Sequence, residues 1–185
     1  IDRDQCPGLM DRVPILSEMS KLAIERLNRG REGFLLQIEG AKIDHAAHGN
    51  DLAGLVYDQM AFEDAVAVAV DFARRDRETL VVITSDHGNA NPGLNAAGDE
   101  YIDSTAGLER VLRMKATYSP ILTALGLSNQ PKTVKEMVHK HLDIELTDAE
   151  AAAVVGAGNN ASPFKDSIFF RGVSQTLGMV LGNHT

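Results

Sequence analysis

An α/β fold, a parallel central sheet flanked by helices, is what the sequence predicts, and three observations predict it. Residues 34–38 (Phe-Leu-Leu-Gln-Ile) and 80–84 (Leu-Val-Val-Ile-Thr) are apolar runs of strand length. Between them, Leu55, Met60, Phe62, Val66, Ala69, Val70 and Ala73 recur at helical spacing. Strand, helix and strand within about fifty residues is the right-handed crossover unit of a parallel sheet.

Pro14 opens the first element, an amphipathic helix marked by Ile15, Leu16, Met19, Leu22, Ala23, Ile24 and Leu27 and stopped by Asn28 and Gly30. Glycines bound the first strand on both sides, and residues 39–51 follow it as a polar loop. The long helix then carries Asp58, Glu63, Asp64, Arg74 and Arg75 mostly on its outer face before the second strand. Beyond Asn91, Pro92 and Gly93 the texture becomes helical over residues 108–125, 133–142 and 147–155. Thr133 with Glu136, and Thr147 with Glu150, match the capping-box pattern. Residues 156–163 have a linker-like composition and lead into a last helix over 168–181. The organisation expected is a core strand-helix-strand region over 14–90, a helical insertion over about 100–156, and a return toward the core over 163–185.

The 185 residues carry 18 basic and 26 acidic side chains, and the net charge of -8 argues against nucleic acid as a partner. With 44% hydrophobic and 24% charged residues the chain is able to bury a core, which excludes disorder as the default. No apolar run reaches the roughly 18 residues that a membrane span needs. Cys6 stands alone and forms no internal disulfide. The start at Ile1 lacks an initiator Met, and the end lacks a polar tail, so the chain reads as a fragment of a full domain.

In open parallel sheets ligands bind at the carboxyl ends of the strands, which places a site just after Ile38 and Thr84. Both places hold metal-ligand residue types: Glu39-Gly-Ala-Lys-Ile-Asp44-His45-Ala-Ala-His48, then Ser85-Asp86-His87-Gly88. Three carboxylates and three imidazoles would converge there. Imidazole with carboxylate suits zinc, and carboxylate oxygen with water suits magnesium, so more than one metal is accommodated. Asp44 and His48 are spaced i, i+4, and one helical turn aims both at one ion. Asp86 and His87 are adjacent where a strand turns into a loop and reach a second, leaving Glu39 for a third. Taken singly, Asp86 reads as a turn cap, His87 as a satisfied loop imidazole, and Glu39 and Asp51 as solvated carboxylates. Two acid and histidine clusters at equivalent ends of two strands favour a site.

These two segments closely resemble the paired metal-binding segments of the alkaline phosphatase family, and Pro14-Ile-Leu-Ser-Glu-Met19 resembles the helix that precedes them. The resemblance covers about residues 14–90. It implies that Glu39 binds magnesium, that Asp44 and His48 bind a first zinc, and that Asp86 and His87 bind a second. It also sets His45 near the phosphate-binding site, and it matches the His184-Thr185 dipeptide to a third ligand of the first zinc. The activity implied is hydrolysis of small-molecule phosphate monoesters through a phosphoserine intermediate. The family's nucleophilic serine and phosphate-gripping arginine lie upstream of the matching segment. Neither Ser20 nor Ser85 fits the serine's context, and neither Arg12 nor Arg31 the arginine's, so this stretch alone is expected to be inactive. A periplasmic or extracellular location and a homodimer are further implications of the resemblance.

Two other functions compete. A non-catalytic metal-binding domain would keep the ligands for stability alone. The metal-dependent phosphoglycerate mutases, which share the superfamily, carry an Asp-His-Gly-Asn run like Asp86-His87-Gly88-Asn89. Glu39-Gly-x-x-Ile-Asp44 with His48 four residues on is the phosphatase pattern and decides against the mutase.

Overall fold

The computed structural model describes residue 8 and residues 13–30, 32–89, 105–159 and 172–181. They contain helices α1 (Leu16–Leu27), α2 (Ala41–His48), α3 (Leu52–Asp76), α4 (Thr105–Val111), α5 (Ser119–Leu127), α6 (Pro131–Leu142), α7 (Asp148–Asn159) and α8 (Gly172–Leu181). The predicted first helix is found as α1. The Ile15 backbone N–H at its start donates to Glu18 Oε2 at 3.1 Å, and the Asn28 N–H closes its end on the Ile24 carbonyl at 2.9 Å. Its inner face, with Ser20 and Ile24 buried, lies against α3.

The parallel central sheet is not found. Among the described residues there is no strand, and the α/β prediction is corrected to a helical architecture. Residues 34–38 and 80–84 are neither helical nor joined to another segment by backbone hydrogen bonds. Nor are they buried as predicted, since Leu35 is 97% and Leu80 85% exposed. An apolar run records a local pattern only. A strand needs a neighbour whose N–H and C=O groups complete a ladder, and no described segment takes that place. The crossover expected between two strands is instead α3 with helices packed on it, α1 and α2 both lying against its length.

The expected polar loop at 39–51 contains α2, two turns long. The single helix expected over 108–125 is broken into α4 and α5. Pro120 in the first turn of α5 favours a fresh start there, and the backbone N–H of Tyr118 is drawn to a carboxylate instead of continuing a helix. Thr147 and Glu150 do form the predicted capping box, with Glu150 N–H on Thr147 Oγ1 at 3.2 Å and Thr147 N–H on Glu150 Oε2 at 2.8 Å. Thr133 does not cap, because α6 begins earlier, at Pro131, and the Thr133 hydroxyl turns to Ser128 Oγ at 3.2 Å. Residues 156–159 of the expected linker continue α7, while the predicted start of the last helix at 168–171 lies outside the described residues.

The core also sits where the sequence did not place it. Helices α5 to α8 pack in succession, and Ile121, Val134, Leu142, Ile144, Val154 and Leu177 are fully buried among them. The region expected as an insertion thus carries the main apolar cluster, and α3 joins it through Ala53, Leu52 and Val56. A second tie runs from the Tyr57 hydroxyl to the Leu112 carbonyl at 3.2 Å. No helix among the described residues is long and apolar enough to cross a membrane.

Truncating Leu142, which has no exposed surface, leaves a cavity in this cluster. Leu142→Ala is expected to cost about 2–5 kcal/mol. Denaturant unfolding of the full-length gene product checks it, and a loss below about 1 kcal/mol would contradict the placement of the core.

Candidate metal centre

Helix α2 begins at Gly40, whose backbone runs so close to α3 that a Cβ there would lie 2.9 Å from the Phe62 ring. Any side chain there would force the Phe62 ring or the backbone of α2 to shift. Within two turns α2 presents Asp44 and His48 on one face, with His48 Nε2 3.3 Å from Asp44 Oδ1. His87 arrives from the segment after Thr84 and sets its Nε2 3.4 Å from the same oxygen. Asn89 Nδ2 donates to that oxygen as well, at 3.2 Å. Asp44 Oδ1 is therefore the point on which two imidazoles and an amide converge. The rings of His48 and His87 lie 6.0 Å apart between centroids, tilted by 55°.

One ligand atom from each of Asp44, His48 and His87 falls within 4.8 Å of the others. Two imidazole nitrogens and a carboxylate oxygen at this spacing fit a single divalent ion of borderline softness. Among the described residues, all three side chains keep a solvent-facing part, so the cluster is open on one side. An open position is what a catalytic site has and a closed structural site lacks.

Of the predicted site residues, the structure brings Asp44, His48 and His87 together. Asp86 meets them through His87, whose Nε2 is 3.5 Å from Asp86 Oδ2. The Asp86 side chain is 81% exposed, and the His87 backbone N–H donates to its Oδ1 at 2.9 Å. That bond holds the Asp86 carboxyl below its ordinary 3.8, slight burial opposing it. Glu39 is exposed just before α2, and His45 is half-buried one residue beyond Asp44; neither belongs to the cluster of three. His184 lies outside the described residues.

Two supporting residues escaped the sequence reading. Asp51, expected as a solvated carboxylate, is 6% exposed. It caps α3 by accepting the Gly54 N–H on Oδ1 at 2.9 Å, and it accepts the Tyr118 N–H on Oδ2 at 2.7 Å. An Asp directly before an apolar helix is a recognised start signal, so its capping role was legible. Its second partner, 67 positions away, had no local signal. Tyr118 is the other; its hydroxyl donates to the Asn50 carbonyl at 2.9 Å. Burial, and then the Asp51 charge beside it, push the Tyr118 phenol well above its ordinary 10.0, against a smaller opposing effect of the Leu52 backbone.

The helical scaffold thus offers a half-open carboxylate and bis-imidazole cluster with the spacing to hold a metal ion. The sequence matches the alkaline phosphatase family over residues 1–163, and the chain belongs to that family. Alkaline phosphatase 4 of Bacillus subtilis (strain 168) is 34% identical over 157 residues, covering 85% of this chain and 31% of that protein. The alkaline phosphatase of Escherichia coli (strain K12) is 31% identical over 158 residues, 85% of this chain and 32% of the relative. The crystal structure of Thermus thermophilus alkaline phosphatase superposes with a TM-score of 0.79 at 32% identity, over 91% of this chain and 36% of that one. The chain thus spans about a third of the length of the relatives it matches.

The raised phenol has a consequence for stability. Folded Tyr118 keeps a proton that the unfolded chain releases near pH 10, so its contribution is intact below that value and is lost progressively as pH rises from there toward the higher folded value. In denaturant titrations of the full-length gene product between about pH 9 and 11, wild type should lose stability more steeply than Tyr118→Phe. Equal slopes would contradict the buried, proton-retaining phenol.

Proposed function

We propose that the protein hydrolyses phosphate monoesters in a metal-dependent reaction centred on Asp44, His48 and His87. The convergence of these three side chains within 4.8 Å, in a member of the alkaline phosphatase family, is the observation that carries the reading. A divalent ion held there supplies Lewis-acid polarisation of a phosphoryl oxygen and lowers the pKa of an attacking hydroxyl. We assign Asp44 and His48 to a first zinc, Asp86 and His87 to a second, and Glu39 to magnesium, following the resemblance. His87 Nε2, 3.4 Å from Asp44 and 3.5 Å from Asp86, is within reach of either position.

The chain's own residues have separable tasks. Asp44 supplies negative charge, and its Oδ1 aligns both imidazoles, while the Asn89 amide fixes the carboxylate that they meet. His48 and His87 bind in their unprotonated form, so metal loading weakens in acid. His45, next to Asp44 on the same helix, is assigned to the phosphate side. The nucleophile is a serine outside the contexts seen here. Ser20 is buried, with its hydroxyl donating to the Leu16 carbonyl at 2.7 Å, and is excluded. Homodimerisation and export to the periplasm or exterior rest on the resemblance alone.

Family membership supports this reading over the phosphoglycerate mutase, and the open side of the cluster supports it over a non-catalytic metal module. The test is hydrolysis of p-nitrophenyl phosphate by the full-length gene product at alkaline pH. Turnover should be abolished by chelator, restored by zinc with magnesium, and reduced to background in an Asp44→Ala, His48→Ala variant. A folded, metal-loaded protein without turnover would overturn the phosphatase reading. Conversion of phosphoglycerate would then identify the mutase, and its absence the non-catalytic module.

A further inference from the structure

His48 is the last residue of an eight-residue helix that has no side-chain cap at its start. A helix this short does not hold itself together in water, so the direction of its final side chain is set by what closes the helix end. The closure is a Schellman motif: the Asp51 N–H donates to the Ala46 carbonyl at 2.9 Å and the Asn50 N–H to the Ala47 carbonyl at 3.0 Å. Asn50 takes the left-handed backbone that the motif requires, with φ of 54°.

Asn50 and Asp51 are also gripped from the helical layer. Tyr118, which precedes α5, donates its N–H to Asp51 Oδ2 and its hydroxyl to the Asn50 carbonyl. Gly178 of α8 lies against Asn50 so closely that a Cβ there would stand 2.7 Å from the Asn50 carbonyl oxygen. Asp51 thus closes the metal-bearing helix with its backbone, starts α3 with one oxygen, and ties both to α5 with the other.

We propose that Asp51 and Tyr118 are a positioning pair for His48, through which the packing of the helical layer sets the geometry of the metal centre. The proposal rests on the reading of Asp44, His48 and His87 as metal ligands. Neither residue touches the ion; both act on the turn that directs His48. Tyr118→Phe removes only the hydroxyl bond to Asn50, and Asp51→Asn sets an amide group against one of two backbone N–H donors.

The test is Co²⁺ binding to the full-length gene product, followed by visible absorption, which reports the ligand geometry. Each variant should bind Co²⁺ about tenfold more weakly than wild type, with altered absorption bands. Val134→Ala, which opens a cavity in the same helical layer away from the turn, should lose stability while its Co²⁺ affinity and bands stay at wild type. Unchanged affinity and bands in both Asp51→Asn and Tyr118→Phe would overturn the proposal. So would a Val134→Ala variant that weakens Co²⁺ as much as they do. A wild type that binds no Co²⁺ overturns the ligand reading and the proposal with it. A Co²⁺-binding wild type that turns over no monoester removes the phosphatase reading alone, and the affinity comparison still decides the pair.

Discussion

A buried carboxylate has to be satisfied on both oxygens, and in this protein that requirement, at Asp51, holds the pieces together. Its two oxygens take backbone N–H groups from Gly54 and Tyr118, one three residues away and the other 67 residues away, just before α5. Charge-assisted bonds of this kind are worth more than neutral ones, and losing either partner leaves a buried polar group unmet. The junction of α2 and α3 is thereby fixed, and so is the seating of the helical layer on it. The break between α4 and α5, which no helical pattern foretold, follows from the same demand: Tyr118 N–H is committed to Asp51 and cannot serve a continuing helix.

The Asp44, His48 and His87 cluster has unequal supports as a result. Asp44 and His48 stand on a helix closed at one end by that turn and pressed at the other onto Phe62. His87 stands on a segment with no regular backbone bonding of its own, and its contacts to Asp44 and Asp86 are what locate it. The hydrogen bond from Asn89 to Asp44 ties the segment after His87 back to the helix by a second point.

What the sequence disclosed divides along physical lines. Helices α1, α3, α6 and α7 were legible because apolar spacing and local caps are encoded within a few residues, as the Thr147 and Glu150 box shows. The acid and histidine cluster was legible because carboxylates and imidazoles stand so densely in the two segments. The sheet was misjudged because ladder partners are a matter of tertiary structure, which neither 34–38 nor 80–84 encodes in itself. Asp51 was misjudged for the same reason: a capping residue is local, but its burial depends on Tyr118, far along the chain.

The two apolar runs nevertheless lead to residues that cluster, and chain reach explains why. Helix α3, of 25 residues, is about 37 Å long, and α2 packs near its start. Phe34 meets Phe72 toward the far end, with ring centroids 6.1 Å apart, while Gly40 meets Phe62, so residues 34–40 run along α3 toward α2. After α3 ends at Asp76, His87 must return to Asp44, a distance of at least about 20 Å along the helix. The ten or so residues available would rise only about 15 Å as a helix but reach about 33 Å when extended. A continuous helix over this stretch is therefore excluded by the contact at its end, and 80–84 are not helical. Both runs travel the same way along α3 and finish at the same place, and the acid and histidine residues that follow each of them are brought together there.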